Sequence, residues 1–462
     1  MIRPTHQPTR ATHYRRPGGP WDTPPLDGVL ADDPRIAPVA GGLRQAGVRR
    51  GDAVAWQLPN VEAAVLLYRA CWRLGAVAVP VHHQAGPAEV DRMLAAVEPR
   101  LVVDGETLPD GPPVAVTATA ARPSDVAAVL FTSGSTGAPK AVLHTQRALA
   151  YKAGLMRDVH GLTADDAVLM PAPLAHISGL LNGILVAGAA RMRTVLMAKW
   201  DPEHALQLIE QHRISFMIGP PTFFIGLMGA PGFNAERVAS LRLISSGGAG
   251  VSPAFVAEAS ERIGALVKRT YGSTEAPTMT TSLAGDPVER ARQTDGRPVG
   301  EVELKLGAND ELLVRGPELF AGYADPTDNE GAFSRGGWFH TGDRASIDAD
   351  GWLTITGRIK DMVIRGGENI SVAEVEAVLE AHPAVRHAVA VGYPDERLGE
   401  RLAAVVVADD GFDVDACRQW FETRGVARFK TPERVLVITE MPTLAAGKPD
   451  RAAIRSLVTP TA

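Results

Sequence analysis

The sequence predicts an α/β protein: a large N-terminal domain of parallel sheets covered by helices, a distorted β subdomain, and a small α+β domain at the C-terminus. Three observations predict it. Apolar strand patterns alternate with amphipathic helix patterns up to Asp286, and hairpin signals replace them after it. Beyond Arg358–Asp361 the chain reads as a compact unit of about a hundred residues, an ordinary domain size. With 462 residues the chain is also too long for a single hydrophobic core.

The elements follow in order. DAVAWQLPN (52–60), VEAAVLLYRACWRLGA (61–76) and VAVPV (77–81) read as strand, helix, strand. Next come a strand at AVLM (167–170), a helix over 178–190, a strand at TVLM (194–197), the helix PEHALQLIEQH (202–212) and the strand ISFMIGP (214–220). LRLISSGG, SPAFVAEASERIG and LVKRTYGS continue the alternation from 241 to 273. Strands that alternate with helices imply parallel sheets buried on both faces. GEVELKLGANDELLVRG (300–316) predicts a hairpin turning at Ala308–Asp310, and ASIDADGWLTITG (345–357) another turning at Asp348–Gly351. In the last unit the helix SVAEVEAVLEAH (371–382) precedes strands at 385–393 and 401–409, a helix at 413–424 and the turn AAGKPDR. The predicted domains are 1–359 and 360–462.

Composition narrows the function. Hydrophobic residues make up 45% and charged residues 22%, which places the chain among ordinary globular proteins. A net charge of −6 without a long basic run gives no reason to expect a nucleic-acid or membrane-surface partner. The first 25 residues hold Arg3, Arg10, Arg15 and Arg16 among prolines and no apolar core, so they are expected to be extended and poorly ordered, and no secretory leader. The apolar run Leu180–Ala190 is far short of the ~20 residues that span a bilayer. A cytoplasmic protein without an integral membrane segment is expected. Cys71 and Cys417 lie in apolar-periodic stretches, have no metal or redox spacing, and read as buried thiols.

The sharpest signal is VAAVLFTSGSTGAPKAVLHT (126–145). An apolar strand runs into Thr132, Ser133, Gly134, Ser135, Thr136 and Gly137, and Lys140 follows. Glycines let backbone amides turn toward an anion, hydroxyls add donors, and the lysine adds charge, which together make a polyphosphate cradle. It is not the GxxxxGK[ST] loop, because Pro139 precedes the lysine and Ala141 follows it. A flexible Ser/Gly linker would not sit between two apolar strands. This loop resembles the signature of the adenylate-forming (AMP-binding) superfamily, which includes acyl-CoA synthetases, peptide-synthetase adenylation domains and luciferases. Ala141 replaces that family's usual glycine. The resemblance runs from about residue 40 to 455, with the motifs in the family's order.

The resemblance assigns the remaining motifs. In LRLISSGGAGVSP (241–253), Gly247, Gly248 and Ala249 become the adenine wall; read alone, the segment is only a tight strand-to-helix turn. In TYGSTEAP (270–277), Thr270, Tyr271 and Gly272 fall on the nucleotide, with Tyr271 against adenine, Thr274 on phosphate and Glu275 on Mg2+. Asp343 and Arg358, in GWFHTGDRASIDADGWLTITGRIKD (337–361), match ribose-binding residues; a turn cap is the alternative for Asp343. PAPLAHISGLLNG (171–183) matches the acyl-pocket segment, with His176 at the carboxylate end as a gate or orienting group, and Ile177 and Ser178 behind it. Adenylation needs no strong base, because the attacking carboxylate is already ionised. Ile177 stands where amino-acid-activating relatives carry an aspartate for the α-ammonium, so an apolar fatty, alicyclic or simple aryl acid is expected. Phe223 and Phe224 read either as pocket wall or as plain core. Lys448, in MPTLAAGKPDR (441–451), matches the family's closing motif, where a mobile ammonium bridges the carboxylate and the α-phosphate.

The resemblance therefore implies a mobile C-terminal lid and two half-reactions. Carboxylate and MgATP give acyl-AMP and pyrophosphate; the lid then rotates near Lys360, and coenzyme A takes the acyl group, with Gly366 and Gly367 lining its path. ATP, Mg2+ and coenzyme A are the implied cofactors and co-substrates, in a monomer or homodimer. The alternative is delivery of the acyl group to a carrier protein or an amine. One departure is that the strand pair and helix start that usually precede GLRQAGVRRGD are missing between Pro34 and Leu43. The hinge reading is testable, because proline fixes φ near −65° where a hinge must rotate. Lys360→Pro should make acyl-AMP and pyrophosphate that coenzyme A fails to discharge, whereas Lys360→Ala keeps most thioester synthesis. Wild-type coenzyme A turnover by the proline variant would place the hinge elsewhere.

Overall fold

A computed structural model describes residues 2–5, 19–115, 121–133, 139–359, 362–365, 368–395, 398–409, 411–444 and 447–459. Among these residues the strands assemble into four sheets. The first has the order Leu101–Val103, Ala53–Gln57, Val77–Val81, Val126–Ser133, Pro139–Thr145. Its first four strands are parallel, as the alternation predicts. The last pair is not: Val126–Ser133 and Pro139–Thr145 run antiparallel, because the connection between them is too short for a crossover.

The second sheet carries Arg193–Leu196, Ala167–Met170, Phe216–Gly219, Leu243–Gly247 and Leu266–Tyr271 in parallel, with two short antiparallel strands beyond them. The helix between the last two parallel strands shows how local chemistry sets the crossover. Ser252 accepts from the Phe255 amide at 3.2 Å, Pro253 opens the helix Pro253–Ile263, and Phe255, Val256, Ala259 and Ile263 bury one face. At the opposite, N-terminal ends of these strands, Asp166 gathers the loops. It accepts from Arg242 Nε and Nη2 at 2.8 Å each, from Ser215 Oγ at 2.6 Å and from the Thr163 amide at 2.9 Å, and these donors hold its carboxyl at about 2 despite burial.

One core, containing Trp56, Tyr68, Trp72 and Phe216, joins the two sheets through the helices Glu62–Leu74 and Gln146–His160. The third sheet is the hairpin unit: Glu303–Leu306 pairs Glu311–Arg315, and Trp338–Ile347 pairs Leu353–Arg358, with the turns where the sequence places them. The fourth sheet centres on Val385–Asp395 and Gly399–Ala408. Its two faces bury separate cores drawn only from residues 363–458. No described helix is long and apolar enough to cross a membrane.

One expectation for the N-terminal region needs correction. The helix said to lack its start is present as Ile36–Gln45, held where Gly111 and Val114 amides bond the Pro38 and Ala37 carbonyls. The expectation of an extended, poorly ordered start falls mostly on residues 1 and 6–18, outside the described residues; of the rest, Pro20–Asp22 form a 3-10 turn, and Thr5 bonds Ala321 through its amide and Tyr323 through its hydroxyl. The following helix, Leu26–Val29, is tied down by Arg73, which donates to buried Asp27 and to Asp32. Cys71 and Cys417 are free and buried, as expected.

Two buried histidines make stability depend on pH. Neither ring nitrogen of His144 or His160 has a well-formed hydrogen bond, His144 having only a weak contact to the Thr274 backbone. Burial lowers His144 to about 4 and His160 to about 3, the latter helped by Lys268 and Lys152. Unfolded, both titrate near 6.5, so below that pH the unfolded chain binds more protons. The contribution is complete above 6.5 and is lost as pH falls toward 4. Urea midpoints should decline over this window, and His160→Phe should reduce the slope by about one proton. An unchanged slope would place the titration elsewhere.

Candidate active site

The candidate residues of the second sheet lie at or just beyond the C-terminal ends of its parallel strands, where open α/β sheets place their ligands. His176 and Ile177 follow Ala167–Met170, Phe223 follows Phe216–Gly219, Gly248 and Ala249 follow Leu243–Gly247, and Thr274 and Glu275 follow Leu266–Tyr271. Thr270 pairs Gly247 across the two strands, and its hydroxyl donates to the Thr280 carbonyl.

Asp343 and Arg358 are cross-strand neighbours in the third sheet. Arg358 Nε donates to Asp343 Oδ1 at 2.9 Å, and Tyr271 Oη donates to Oδ2 at 2.5 Å. Asp343 is only 4% exposed, so its two oxygens depend on these two donors for hydrogen bonds. Burial, and then this carboxylate, push the Tyr271 phenol well above its usual range. The capping alternative for Asp343 is not what the geometry shows, since its side chain reaches across sheets instead of to its own turn.

Glu275 is half-buried, less enclosed than its Ser/Thr/Gly setting suggests. Its Oε1 accepts from Tyr323 Oη at 2.8 Å, and burial followed by this carboxylate raises the Tyr323 phenol. Lys140 Nζ stands 4.9 Å from the Tyr323 ring centroid and 2.8 Å from Asp328 Oδ1. Tyr323 and Asp328 escaped the sequence reading; they lie in FAGYADPTDNE (320–330), a segment that no motif had singled out. Among the described residues no three His, Cys, Asp or Glu side chains gather as a metal cage. Glu275 offers a single carboxylate, which suits Mg2+ only if most of its oxygen ligands come from outside the protein.

On the acyl side, His176 precedes a helix that begins at Ile177 and takes π-helical bonding over Leu180–Val186, a distortion often found at functional sites. Its ring packs 5.2 Å from that of His82, which stacks at 4.7 Å on His83. Burial, His82 and Lys448 lower His176 to about 4, so it is a neutral imidazole near pH 7. The two phenylalanines part company. Phe223 stacks on Trp200 at 4.6 Å, facing the cleft side of its helix. Phe224 is wholly buried among the second sheet's core residues and packs on Phe255, so it is core and not pocket wall. Adjacent helical positions point about 100° apart, which separates them.

Lys448 crosses from the last unit into this cleft. Its Cε comes within 3.2 Å of the position a Cβ on Gly248 would take. Lys448 keeps part of its surface exposed, yet desolvation by the surrounding protein and then Arg358 lower its pKa, opposed by Asp343 and Glu275. Arg358, Asp343 and Glu275 are thus all near enough to act on the Lys448 charge. Gly134–Gly137, Lys360, Gly366 and Gly367 lie outside the described residues, as does the side chain of Ser133.

Comparison with known proteins agrees with this geometry. The AMP-binding enzyme family matches residues 33–119 and 104–324, and the AMP-binding enzyme C-terminal domain matches 374–448. The chain is 31% identical to the medium-chain fatty-acid–CoA ligase of Escherichia coli (strain K12), over 90% of this chain and 83% of that one. It is 32% identical to the indoleacetate–CoA ligase of Aromatoleum aromaticum, over 91% of each. ATP-bound MatB from Rhodopseudomonas palustris superposes with a TM-score of 0.81 at 28% identity over 92% of each chain. The amide bond synthetase McbA from Marinactinospora thermotolerans does so with 0.79 at 28%, over 92% of this chain and 93% of that one. Sequence, fold and site together make the chain a member of the AMP-binding, adenylate-forming enzymes, similar to their acyl-CoA synthetases.

Proposed function

We propose that the protein activates an apolar carboxylic acid with ATP as its acyl-adenylate and transfers the acyl group to coenzyme A. The observation that carries the reading is the placement of Lys448 on Gly248, beside Asp343, Arg358 and Glu275. The acid–CoA ligases among the relatives support coenzyme A as acceptor. We take 1–359 as the adenylating domain and 360–462 as the lid.

In the first half-reaction a carboxylate oxygen attacks the α-phosphorus of ATP as the bond to pyrophosphate breaks. Lys448 stabilises negative charge passing between them, Lys140 holds the phosphate end, and Asp343 with Arg358 anchors the ribose hydroxyls. Tyr271 and the Gly247–Ala249 turn flank adenine, and Thr274 takes a phosphate oxygen. Glu275, oriented by Tyr323, would hold Mg2+, which neutralises charge on the departing pyrophosphate. In the second, the coenzyme A thiolate attacks the acyl carbon and AMP leaves. His176, neutral at pH 7, orients the carboxylate and does not transfer a proton. A second reading, transfer to an amine, is favoured only by the likeness to McbA. A panel of straight-chain, alicyclic and aryl acids, assayed for pyrophosphate release with and without coenzyme A, separates the two.

Two variants test the assignments. Lys448→Ala should cut acyl-AMP formation by roughly two to four decades, the ~3–5 kcal/mol of a lost transition-state contact, and leave thioester formation from supplied acyl-AMP nearly intact. Equal loss in both half-reactions would remove the separation of roles. Ile177 gives an ammonium no partner, so free α-amino acids should support little pyrophosphate exchange, and Ile177→Asp should depress turnover of apolar acids. Robust exchange with an α-amino acid as sole substrate would refute the apolar pocket.

A further inference from the structure

Among the described residues, the chain on either side of Lys448 is closed by short backbone bonds, and a side chain of the sheet domain bonds to it. The Leu444 amide bonds the Lys448 carbonyl at 2.7 Å, the Gly447 amide bonds the Leu444 carbonyl at 2.8 Å, and Thr443 bridges Pro449. Fixing Gly447 therefore fixes Lys448. The Gly447 carbonyl accepts a 2.6 Å hydrogen bond from Thr222 Oγ1, 225 residues away in the first turn of the helix Pro221–Gly229. Gly447 has φ +76°, and a Cβ there would lie 2.6 Å from Phe223 Cε1 and 3.0 Å from Pro220 Cγ. Phe223 is itself braced from the other side by Trp200. One residue on, the lysine stem lies over Gly248, where φ is +78°. Contacts of ring on backbone are non-directional and tolerate sliding. The Thr222 hydroxyl supplies the directional bond.

We propose that Pro220, Thr222 and Phe223 form a seat for the Gly447–Lys448 turn that selects the lid position in which the acid is adenylated, with Thr222 as the positioning residue. The proposal rests on the reading of Lys448 as the adenylating lysine. It assigns to the threonine no contact with substrate and no role once the lid has turned away. It also accounts for part of the cover over Phe223, which the main core and Trp200 bury from the other sides.

The test compares the half-reactions with the fastest acid of the panel and its synthetic adenylate. Thr222→Val keeps shape and removes the donor. Its kcat for ATP–pyrophosphate exchange should fall about five- to tenfold, the scale of one hydrogen bond, with KM for ATP and acid little changed. Thioester formation from supplied adenylate should stay at the wild-type rate, and Thr222→Ser should restore exchange. Gly447→Ala, which adds a clash and a strained φ, should lose more exchange with the same sparing of the second step. If Lys448→Ala lowers exchange and Thr222→Val does not, the seat is overturned and the lysine's role stands. If Lys448→Ala leaves exchange intact, both fall. Equal loss of both half-reactions in Thr222→Val, with a lowered melting temperature, would make the threonine structural and end the proposal.

Discussion

The carboxylate of Asp343 sits almost out of water while accepting from a phenol on the second sheet and a guanidinium on its own. A buried carboxylate needs both donors, because removing either leaves one of its oxygens buried without a hydrogen bond. The constraint runs outward from there. Tyr271 can reach Asp343 only if the strand Leu266–Tyr271 ends where it does, and that end is set by its register with Leu243–Gly247. Arg358 can reach only as the last residue of Leu353–Arg358, immediately before the chain passes into the last unit. The junction between the two sheets, the floor of the cleft and the exit toward the lid are therefore one arrangement of side chains.

The phosphate side follows similar logic with weaker bonds. Lys140 is matched by Asp328 and Glu275 by Tyr323, so the groups suited to a triphosphate and its metal have protein partners. The loop carrying Tyr323 and Asp328 is itself pinned by Thr5, whose hydroxyl bonds the Tyr323 carbonyl and receives the Asn329 amide. A segment at the start of the chain thus helps set groups near the phosphate loop, although nothing in its composition suggests so.

Much of this was legible because short motifs carry chemistry in adjacent residues. The motifs around Lys140, Glu275 and Asp343 pointed to the AMP-binding family to which the chain belongs, and strand–helix alternation implied the parallel pairing seen in most of the two large sheets. What could not be read depends on angles and on distant partners. Phe223 and Phe224 are neighbours in sequence and face different volumes. Val126–Ser133 and Pro139–Thr145 are both apolar, and periodicity does not tell antiparallel from parallel. Thr222 and Gly447, or Tyr323 and Glu275, meet only after the chain has folded. The helix start at Ile36 was missed because Pro38, Gly41 and Gly42 weaken its helical pattern; buried Ile36, Val39, Ala40 and Leu43 hold it in place.

At the far end of the second sheet, away from the cleft, Asp166 receives donors from residues 49 and 76 positions along the chain, through Ser215 and Arg242. Each donor leads directly into a strand of the parallel set. A slip of one residue in any of these strands would carry its donor about 3.3 Å away and turn its side chains to the wrong face. Parallel strands buried on both faces read as continuous apolar runs, so their alternation says little about alignment. The Asp166 knot supplies the missing information: a polar vernier that closes only at the correct register, and so aligns the strand ends at the opposite edge, where the candidate site residues lie.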